Sequence, residues 1–291
     1  MSFTRTSSGL SNLAIFHDVD YILFTEGGET SFSLENVKKG FFNRESVDIK
    51  FWSKVLSKHG CNARVEFRAL GSKTASKEIC DLIEKGKVKN VIVALDSDLD
   101  GVLGVKYQSP YIFYTRGYSW ENDVYNIDLV KEQVESFILS DRIPQECKVL
   151  IDELYSEIER LAPRLMRMEV IFRQNSMRFI TDLSGERLIS RNSIPKININ
   201  QIMNVLEEKK VNLDRPVRVA CKLNGFCSFS FCYGKLVEAL AMSLLSYIAK
   251  TFARIKSLPK ELMITLMIDR YSNRKGHNED LYYEEMVSIL K

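Results

Sequence analysis

The feature that most constrains this chain is the apolar run Val91–Leu95, which is rich in β-branched residues and followed at once by Asp96. Such runs are typical of strands that are buried on both faces of a parallel sheet. Strand-like runs at 21–24, 65–67 and 111–114 alternate with helical patterns. This βαβ alternation predicts an α/β fold built on a doubly wound parallel sheet.

The character of the sequence changes after about residue 125, where helical patterns become long. They cover 127–138, 144–168, 200–209 and 235–255, and strands are predicted near 178–181 and 217–220. Pro163 should kink or end the second of these helices. The sequence therefore predicts an α/β domain over 15–125, with an insert at 29–46, and a helix-rich α+β domain over 126–291.

Composition excludes several classes of protein. The chain has 291 residues, of which 45% are hydrophobic, and a net charge of +3, so it is neither disordered nor strongly basic. No stretch approaches the roughly 20 apolar residues of a membrane span, and no secretion signal is recognisable, which predicts a cytoplasmic protein. Six cysteines without a C-x-x-C pair, and three isolated histidines, argue against a disulfide framework or a zinc site.

Acidic side chains follow two of the predicted strands. Glu26 comes directly after the first strand, and Asp96 and Asp98 come after the third. In open parallel sheets, binding sites form beyond the carboxyl ends of the strands. If the first and third strands are neighbours, the three carboxylates repel one another unless a cation neutralises them. Ligands that are all oxygen atoms select a hard ion, so we expect Mg²⁺ or Mn²⁺.

The Glu-Gly pair at Glu26 and the Asp-x-Asp at Asp96 and Asp98 resemble the TOPRIM domain of topoisomerases, primases and OLD-type nucleases. The runs 71–73, 118–122 and 234–236 are similar to a narrower OLD-like group encoded beside ABC-type ATPases. That group includes the AriB-type effectors of the PARIS anti-phage defence system. The resemblance extends from about residue 21 to residue 255.

The resemblance implies a metal-dependent nuclease that acts in abortive infection and cleaves host nucleic acid, with transfer RNA as the expected substrate. An ABC-type ATPase subunit (AriA-like) would restrain it until a phage trigger releases it, and release would allow a homodimer. The chain contains no P-loop of its own, so nucleotide-driven control must come from another subunit. The implied metal ligands are Glu26, Asp96, Asp98, Asp100 and Glu121, and the implied catalytic lysines are Lys73 and Lys235.

Two basic segments are candidates for contacting nucleic acid. In related proteins the Glu-Gly leads almost at once into a helix bearing Asp-x-x-Phe-Tyr, matched here at 48–52 after the insert 29–46. The insert carries Lys38, Lys39 and Arg44, and it either grips substrate or packs against a partner or its own core. The segment 164–196 has seven basic and three acidic side chains, and it includes Arg173 and Arg178. The sequence allows three interpretations of this segment: it binds a nucleic-acid backbone, it docks an acidic partner, or it is a solvated face.

Two other functions are consistent with the same residues. The run 98–103 reads like the first motif of haloacid-dehalogenase-type phosphatases, with Asp98 as nucleophile and Asp100 as general acid. That fold requires its nucleophile at the strand end, where Asp96 lies instead. In the second alternative, the chain is a non-catalytic regulatory subunit of an ATPase complex.

Overall fold

The computed structural model describes residues 7–182, 184–190, 194–211, 229–274 and 280–290. The chain divides into two compact units that interleave along the sequence. Unit 1 comprises Met1–Ser97, Lys106–Arg116 and Ser272–Lys291, and unit 2 comprises Asp98–Val105 and Gly117–Tyr271. A functional boundary near residue 125 stays a prediction.

Unit 1 contains a four-stranded parallel sheet. Its strands are β1 (Tyr21–Thr25), β2 (Val65–Ala69), β3 (Val91–Leu95) and β4 (Ile112–Tyr114), in the order β2-β1-β3-β4. Every residue of the central strand β3 is apolar and buried. The predicted parallel α/β sheet is therefore confirmed, and so is the pairing of its first and third strands.

The helices occupy most of the remaining described chain. They are α1 (Ser7–Ser11), α2 (Leu13–Phe16), α3 (Leu34–Lys38), α4 (Val47–Lys58), α5 (Lys73–Glu84), α6 (Asp100–Leu103), α7 (Trp120–Val124), α8 (Ile127–Phe137), α9 (Gln145–Gln174), α10 (Ile199–Lys210), α11 (Gly234–Phe252), α12 (Lys260–Asn273) and α13 (Asp280–Ser288). Serine side chains cap the N-termini of α3, α4 and α5 by accepting a backbone N–H. Among the described residues, no helix combines the length and the apolar character that crossing a membrane requires.

The core of unit 1 lies on the faces of the sheet. Ile79 and Cys80 of α5 are fully buried in a cluster with Phe24 and Val93 of the strands. Aromatic side chains of α4 form a second cluster, in which Tyr283 of α13 packs edge-on against Trp52 at 5.9 Å. The end of the described chain is thus built into the same unit as the sheet.

Unit 2 is organised around α11. One stripe of this helix is apolar and buried, and it packs on α7, α8 and α9. Helix α9 contains Pro163 and yet continues to Gln174, so the prediction that helix 144–168 ends near Pro163 is wrong, and a kink remains the other expectation.

The strand predicted near 178–181 is absent. The backbone N–H groups of Phe179 and Ile180 donate instead to the buried carboxylate of Glu169, at 3.0 and 2.8 Å. A two-residue antiparallel pair forms further along, between β5 (Ile189–Ser190) and β6 (Lys196–Ile197), beside a short 3-10 helix at Glu186–Leu188. The strand predicted near 217–220 lies outside the described residues.

Candidate functional site

The acidic residues Glu26 and Asp96 leave the same edge of the sheet on neighbouring strands. Thr25, the last residue of β1, is aligned with Ala94 of β3. Glu26 follows Thr25, and Asp96 follows the last residue of β3. Both side chains are partly buried. Parallel strands therefore deliver two carboxylates to one edge of unit 1, as the sequence predicts.

The turn that carries Glu26 is fixed by hydrogen bonds from three directions. The N–H of Gly27 donates to Asp48 Oδ2 on α4 at 2.6 Å. Gly71 N–H donates to the carbonyl of Gly27 at 2.9 Å, and Leu70 N–H donates to the carbonyl of Thr25 at 2.9 Å. Because both neighbours of Glu26 are anchored, its backbone is held in one position beside the end of β1.

Asp48 is a positioning residue whose role sequence reasoning did not assign. It lies in the first turn of α4, where Ser46 caps the helix. The space at Gly27 is so tight that a Cβ there would lie 2.5 Å from Asp48 Oδ2. The Asp-x-x-Phe pattern carried the only signal of its importance, and it did so through resemblance alone.

The loop after β3 is held by the loop after β4. Ser97 N–H donates to Thr115 Oγ1 at 2.9 Å, and the Ser97 hydroxyl donates to the carbonyl of Thr115. The N–H of Thr115 donates in turn to the carbonyl of Leu95 at 3.0 Å. Helix α13 supports the second loop, since Arg116 N–H donates to the hydroxyl of Tyr283 at 3.0 Å. Asp96 therefore lies between two fixed residues.

Asp98 and Asp100 belong to unit 2. Asp98 has a positive φ of 43°, which is uncommon for a residue with a side chain. Its N–H donates to the carbonyl of Tyr118 at 2.7 Å. Asp100 is buried and begins the short helix α6. A left-handed aspartate three residues beyond a strand end is the kind of backbone feature that occurs at functional sites.

Unit 2 brings together two of the sequence runs that carry the family resemblance. Tyr118 N–H donates to the carbonyl of Ser230 at 2.6 Å. The amide of Asn122 donates to the carbonyls of Phe229 and Cys232, at 2.8 and 3.0 Å. The segment that leads into α11 is therefore fastened to the start of α7.

Four charged side chains form one cluster at this junction, which we call the α11 charge cluster. Lys235 Nζ lies 2.7 Å from Glu121 Oε1 and 2.8 Å from Glu238 Oε2. Lys260 Nζ lies 2.9 Å from the other oxygen of Glu238. Both carboxylates are almost fully buried, whereas the lysines are 40% and 49% exposed. Two anions and two cations balance, which makes burial of the carboxylates tolerable.

The electrostatics of the α11 charge cluster keep Lys235 and Glu238 ionised near neutral pH. Burial lowers the pKa of the Lys235 amine, but Glu121 and Glu238 outweigh it and raise that pKa well above its usual value. Burial raises the pKa of Glu238, but Lys235 and Lys260 outweigh it and hold that pKa below its usual value. Lys235 therefore carries a fixed positive charge. Sequence reasoning missed Glu238, although its spacing of three residues from Lys235 on one helix was a usable signal.

Gly234 explains how closely α11 approaches α7. A Cβ at this position would lie 1.8 Å from Ser119 Oγ and 2.7 Å from Glu121 Oε2. The Gly-Lys pair at the start of α11 is thus required by packing, because only glycine lets Lys235 meet Glu121 at ion-pair distance.

The insert 29–46 packs mainly on its own unit. Val37 is buried in the core cluster, and Phe32 packs against that cluster. Asn43 forms a two-way backbone bridge with Ala69 at the edge strand β2. The Phe42 ring lies 3.9 Å from the guanidinium of Arg68. Of the insert's aromatic residues, Phe41 is the most exposed, at 56%.

The basic side chains named from the sequence have different surroundings. Lys38 ends α3, and Lys39 forms an exposed ion pair with Glu35 at 2.6 Å. Arg44 is exposed, and Lys73 is the partly buried first residue of α5.

In unit 2, Arg178 is exposed, but Arg173 is not a solvated cation. Its guanidinium is bound to the buried Glu169 at 2.5 Å. Arg173 is therefore engaged in holding the carboxylate that anchors residues 179 and 180.

These residues are of the right chemical type to bind a hard metal ion, but their side chains are not already arranged around a metal site. Carboxylates such as Glu26 and Asp96 are suitable ligands for Mg²⁺. Within the described part of the chain, however, no group of three or more histidine, cysteine, aspartate or glutamate side chains is placed to hold a metal ion. Carboxylates repel one another in the absence of a cation, so an ion would have to draw them together on binding.

Cysteine chemistry offers no alternative at this edge of the sheet. Cys80 of α5 is fully buried, and burial together with the nearby charge of Glu26 raises the pKa of its thiol well above the usual value. A thiol in that state is a poor nucleophile. The cysteines at 61, 80, 147 and 232 are free thiols.

No family model matches the chain, and no curated protein matches it.

Proposed function

We propose that the chain is a TOPRIM-type, metal-dependent nuclease that cleaves phosphodiester bonds in nucleic acid. One observation carries the proposal: Glu26 and Asp96 follow adjacent parallel strands and leave the same edge of the sheet. That placement suits the shared ligation of a hard ion, whose usual work is on phosphate groups. The left-handed backbone of Asp98, two positions beyond Asp96, supports a specialised turn at this point.

In this proposal Glu26, Asp96 and Asp98 hold Mg²⁺ or Mn²⁺, and Asp100 is a further candidate ligand. The ion, when bound, supplies Lewis-acid polarisation of the scissile phosphate and lowers the pKa of an attacking water. Asp48 positions Glu26 through the N–H of Gly27. As a metal ligand, Glu121 would have to exchange the ammonium of Lys235, with which it is paired, for an ion.

The lysines have the role of offsetting negative charge on phosphorus. Lys235 is suited to it because two buried carboxylates fix both its position and its charge. Lys73 begins α5, where the positive end of the helix dipole adds to its own charge. The haloacid-dehalogenase alternative instead requires Asp98 as nucleophile, and β3 ends three residues before it.

The family resemblance extends the proposal to a role in the cell, a substrate and a partner. The chain would be a defence effector that acts on transfer RNA in the cytoplasm, restrained by an AriA-like ABC-type ATPase and free to form a homodimer after release. The sequence contains no P-loop for ATP, which supports a separate ATPase subunit.

A first experiment tests the requirement for metal. Purified chain, incubated with transfer RNA, should cleave it in millimolar Mg²⁺ or Mn²⁺ and should lose all cleavage in excess chelator. Ca²⁺ should not restore cleavage, because its longer and looser coordination misplaces the reacting groups. Circular dichroism, measured alongside, should show a folded chain that still melts cooperatively in chelator, at a somewhat lower temperature because a bound ion stabilises the folded state. This separates loss of the ion from loss of the fold. An undiminished rate in chelator would rule out the metal mechanism.

A second experiment tests the basic surface of unit 2. Arg164, Arg167 and Arg178 are exposed and form no ion pair among the described residues. Replacing all three by glutamine should weaken binding of transfer RNA at low salt by about tenfold to a hundredfold, because each lost phosphate contact lowers affinity. Binding is measured by fluorescence anisotropy at several salt concentrations. The salt slope should become shallower.

The control for that experiment removes the same charge elsewhere. Lys85, Lys87 and Lys89 are exposed residues of unit 1, and their replacement by glutamine changes the net charge equally. Arg173 is left intact, because its loss would strand the buried Glu169. Equal affinities of the two triple variants would show that the arginines act only through total charge, against the proposed contact.

A further inference from the structure

The solvent-side stripe of α11 is polar and lines a cavity. While Leu240 and Leu244 face the core, residues on the other side of the helix border a cavity of ≈ 420 Å³ within unit 2. The helix contributes Ser243, Ser246 and Lys250 among others. These positions recur at spacings of three and four residues, so a single helix face supplies one wall.

The rest of the lining is more apolar and carries one cation and one anion. Pro195 and Leu258 line the cavity together with Lys260 and Glu186. Met242 and Tyr247 of α11 add flat, apolar surface on the helix side. The volume lies within the range of cavities that bind small molecules, which is about 300 to 1,000 Å³.

Several polar side chains of α11 face this cavity without a side-chain partner among the described residues. In the described part of the chain, the hydroxyls of Ser243, Ser246 and Tyr247 make no side-chain hydrogen bond, and Lys250 has no carboxylate within ion-pair distance. Lys260 reaches the same cavity, although it also contacts Glu238. The lining therefore offers hydroxyl donors and two ammonium groups, which match the acceptors of a phosphate group, alongside the carboxylates of Glu186 and Glu238.

We propose that this cavity binds a nucleotide, with its phosphate between Lys250 and Lys260 and its base against Tyr247, Met242 and Pro195. The serine hydroxyls donate to the phosphate oxygens. The aromatic and apolar side chains cover a base, which inorganic phosphate lacks. A cavity of this volume accommodates one nucleoside monophosphate, either free or as one residue of a strand.

The cavity shares two side chains, Glu238 and Lys260, with the α11 charge cluster. Glu238 borders the cavity and also contacts both Lys260 and Lys235. If a bound phosphate drew Lys260 away from Glu238, Lys235 would be the remaining lysine of the cluster in contact with Glu238. Binding in the cavity is thereby linked to the lysine to which we assign a catalytic role, and this link rests on the proposed function. The binding itself does not.

The test measures binding to the purified full chain by isothermal titration calorimetry, without any assay of cleavage. Adenosine 5′-monophosphate should bind, and replacement of both Lys250 and Lys260 by glutamine should weaken it by about tenfold or more, because two charge-assisted contacts are lost. Lys256→Gln is the control for loss of a nearby positive charge, since Lys256 is exposed in the segment between α11 and α12 and does not line the cavity. It should leave the affinity unchanged.

Comparison ligands decide the chemical class. Adenosine and inorganic phosphate should each bind far more weakly than the monophosphate. Equal binding of adenosine would overturn the role of the lysines, and equal binding of phosphate would overturn the role of the base. A short oligoadenylate that binds as tightly, with the same dependence on Lys250 and Lys260, would identify a strand as the source of the nucleotide. Failure of the monophosphate to bind at millimolar concentration contradicts the proposal.

Discussion

Replacement of Glu26 by glutamine should reduce the rate of nucleic-acid cleavage by about a thousandfold or more. In the proposed site, Glu26 is a ligand of the metal ion, and loss of a ligand removes several kcal/mol of transition-state stabilisation. The fold should be unaffected, because removing one of several neighbouring carboxylates relieves repulsion. Cleavage rates and thermal melting of the same preparations measure both effects. Asp96→Asn should behave in the same way.

Glu29→Gln is the matched control for this experiment. Glu29 lies three residues further along the same loop and is exposed, so its loss changes the charge equally without touching the end of β1. It should retain the wild-type rate. If Glu26→Gln remained active while Asp98→Asn did not, the haloacid-dehalogenase reading would replace the one proposed.

Replacement of Gly71 by alanine should lower the melting temperature on the order of 6 to 12 °C, for a cost of about 3 kcal/mol. Gly71 has a positive φ of 60°, and a Cβ there would lie 2.1 Å from the carbonyl oxygen of Thr30. That oxygen belongs to the backbone, so the start of the insert must move. Gly71 also donates to the carbonyl of Gly27, so the same movement should disturb Glu26 and slow cleavage.

Gly86 separates the conformational part of this effect from the steric part. It has nearly the same φ, 63°, but a Cβ there would meet nothing within 4 Å. Gly86→Ala should therefore cost only about 1 kcal/mol, which is the penalty for a left-handed alanine. Both variants are compared by circular dichroism melting. Equal destabilisation would mean that the close approach of Thr30 to Gly71 does not constrain the loop.

The sheet was predictable from sequence because its central strands have little choice of environment. The run Val91–Leu95 contains no polar residue. A strand of this composition is stable where both faces of the sheet are covered by other elements. The helix through Pro163 was less predictable, since local preference favours a break there. Flanking residues such as Leu161, Leu165 and Met166 are buried, and their packing outweighs the missing hydrogen bond.

The strand predicted at 178–181 failed for a different reason. The buried carboxylate of Glu169, near the end of the preceding helix α9, accepts from the backbone N–H groups of Phe179 and Ile180. A side-chain acceptor ten residues away is not part of the alternating pattern from which a strand is predicted. The same carboxylate forms an ion pair with Arg173. In the sequence, Arg173 could not be distinguished from the other basic residues of the segment 164–196.

Part of the candidate site could be predicted from the sequence. Glu26 and Asp96 stand beside recognisable strand ends, so their placement at one edge follows from the parallel sheet. Asp48 and Glu238 act on other residues through contacts that depend on how helices pack. Charge and spacing could have suggested Glu238, but the pairing of Glu121 with Lys235 required the structure.

The central claim is that Glu26 belongs to a metal-dependent nuclease, and end-mapping of cellular RNA tests it most directly. The chain is expressed alone in bacterial cells, as wild type and as Glu26→Gln, and RNA ends are sequenced shortly after induction. The proposal predicts new ends at defined positions in transfer RNA with the wild type and none with the variant. Identical RNA ends in the two cultures, with both proteins folded and equally abundant, would contradict it.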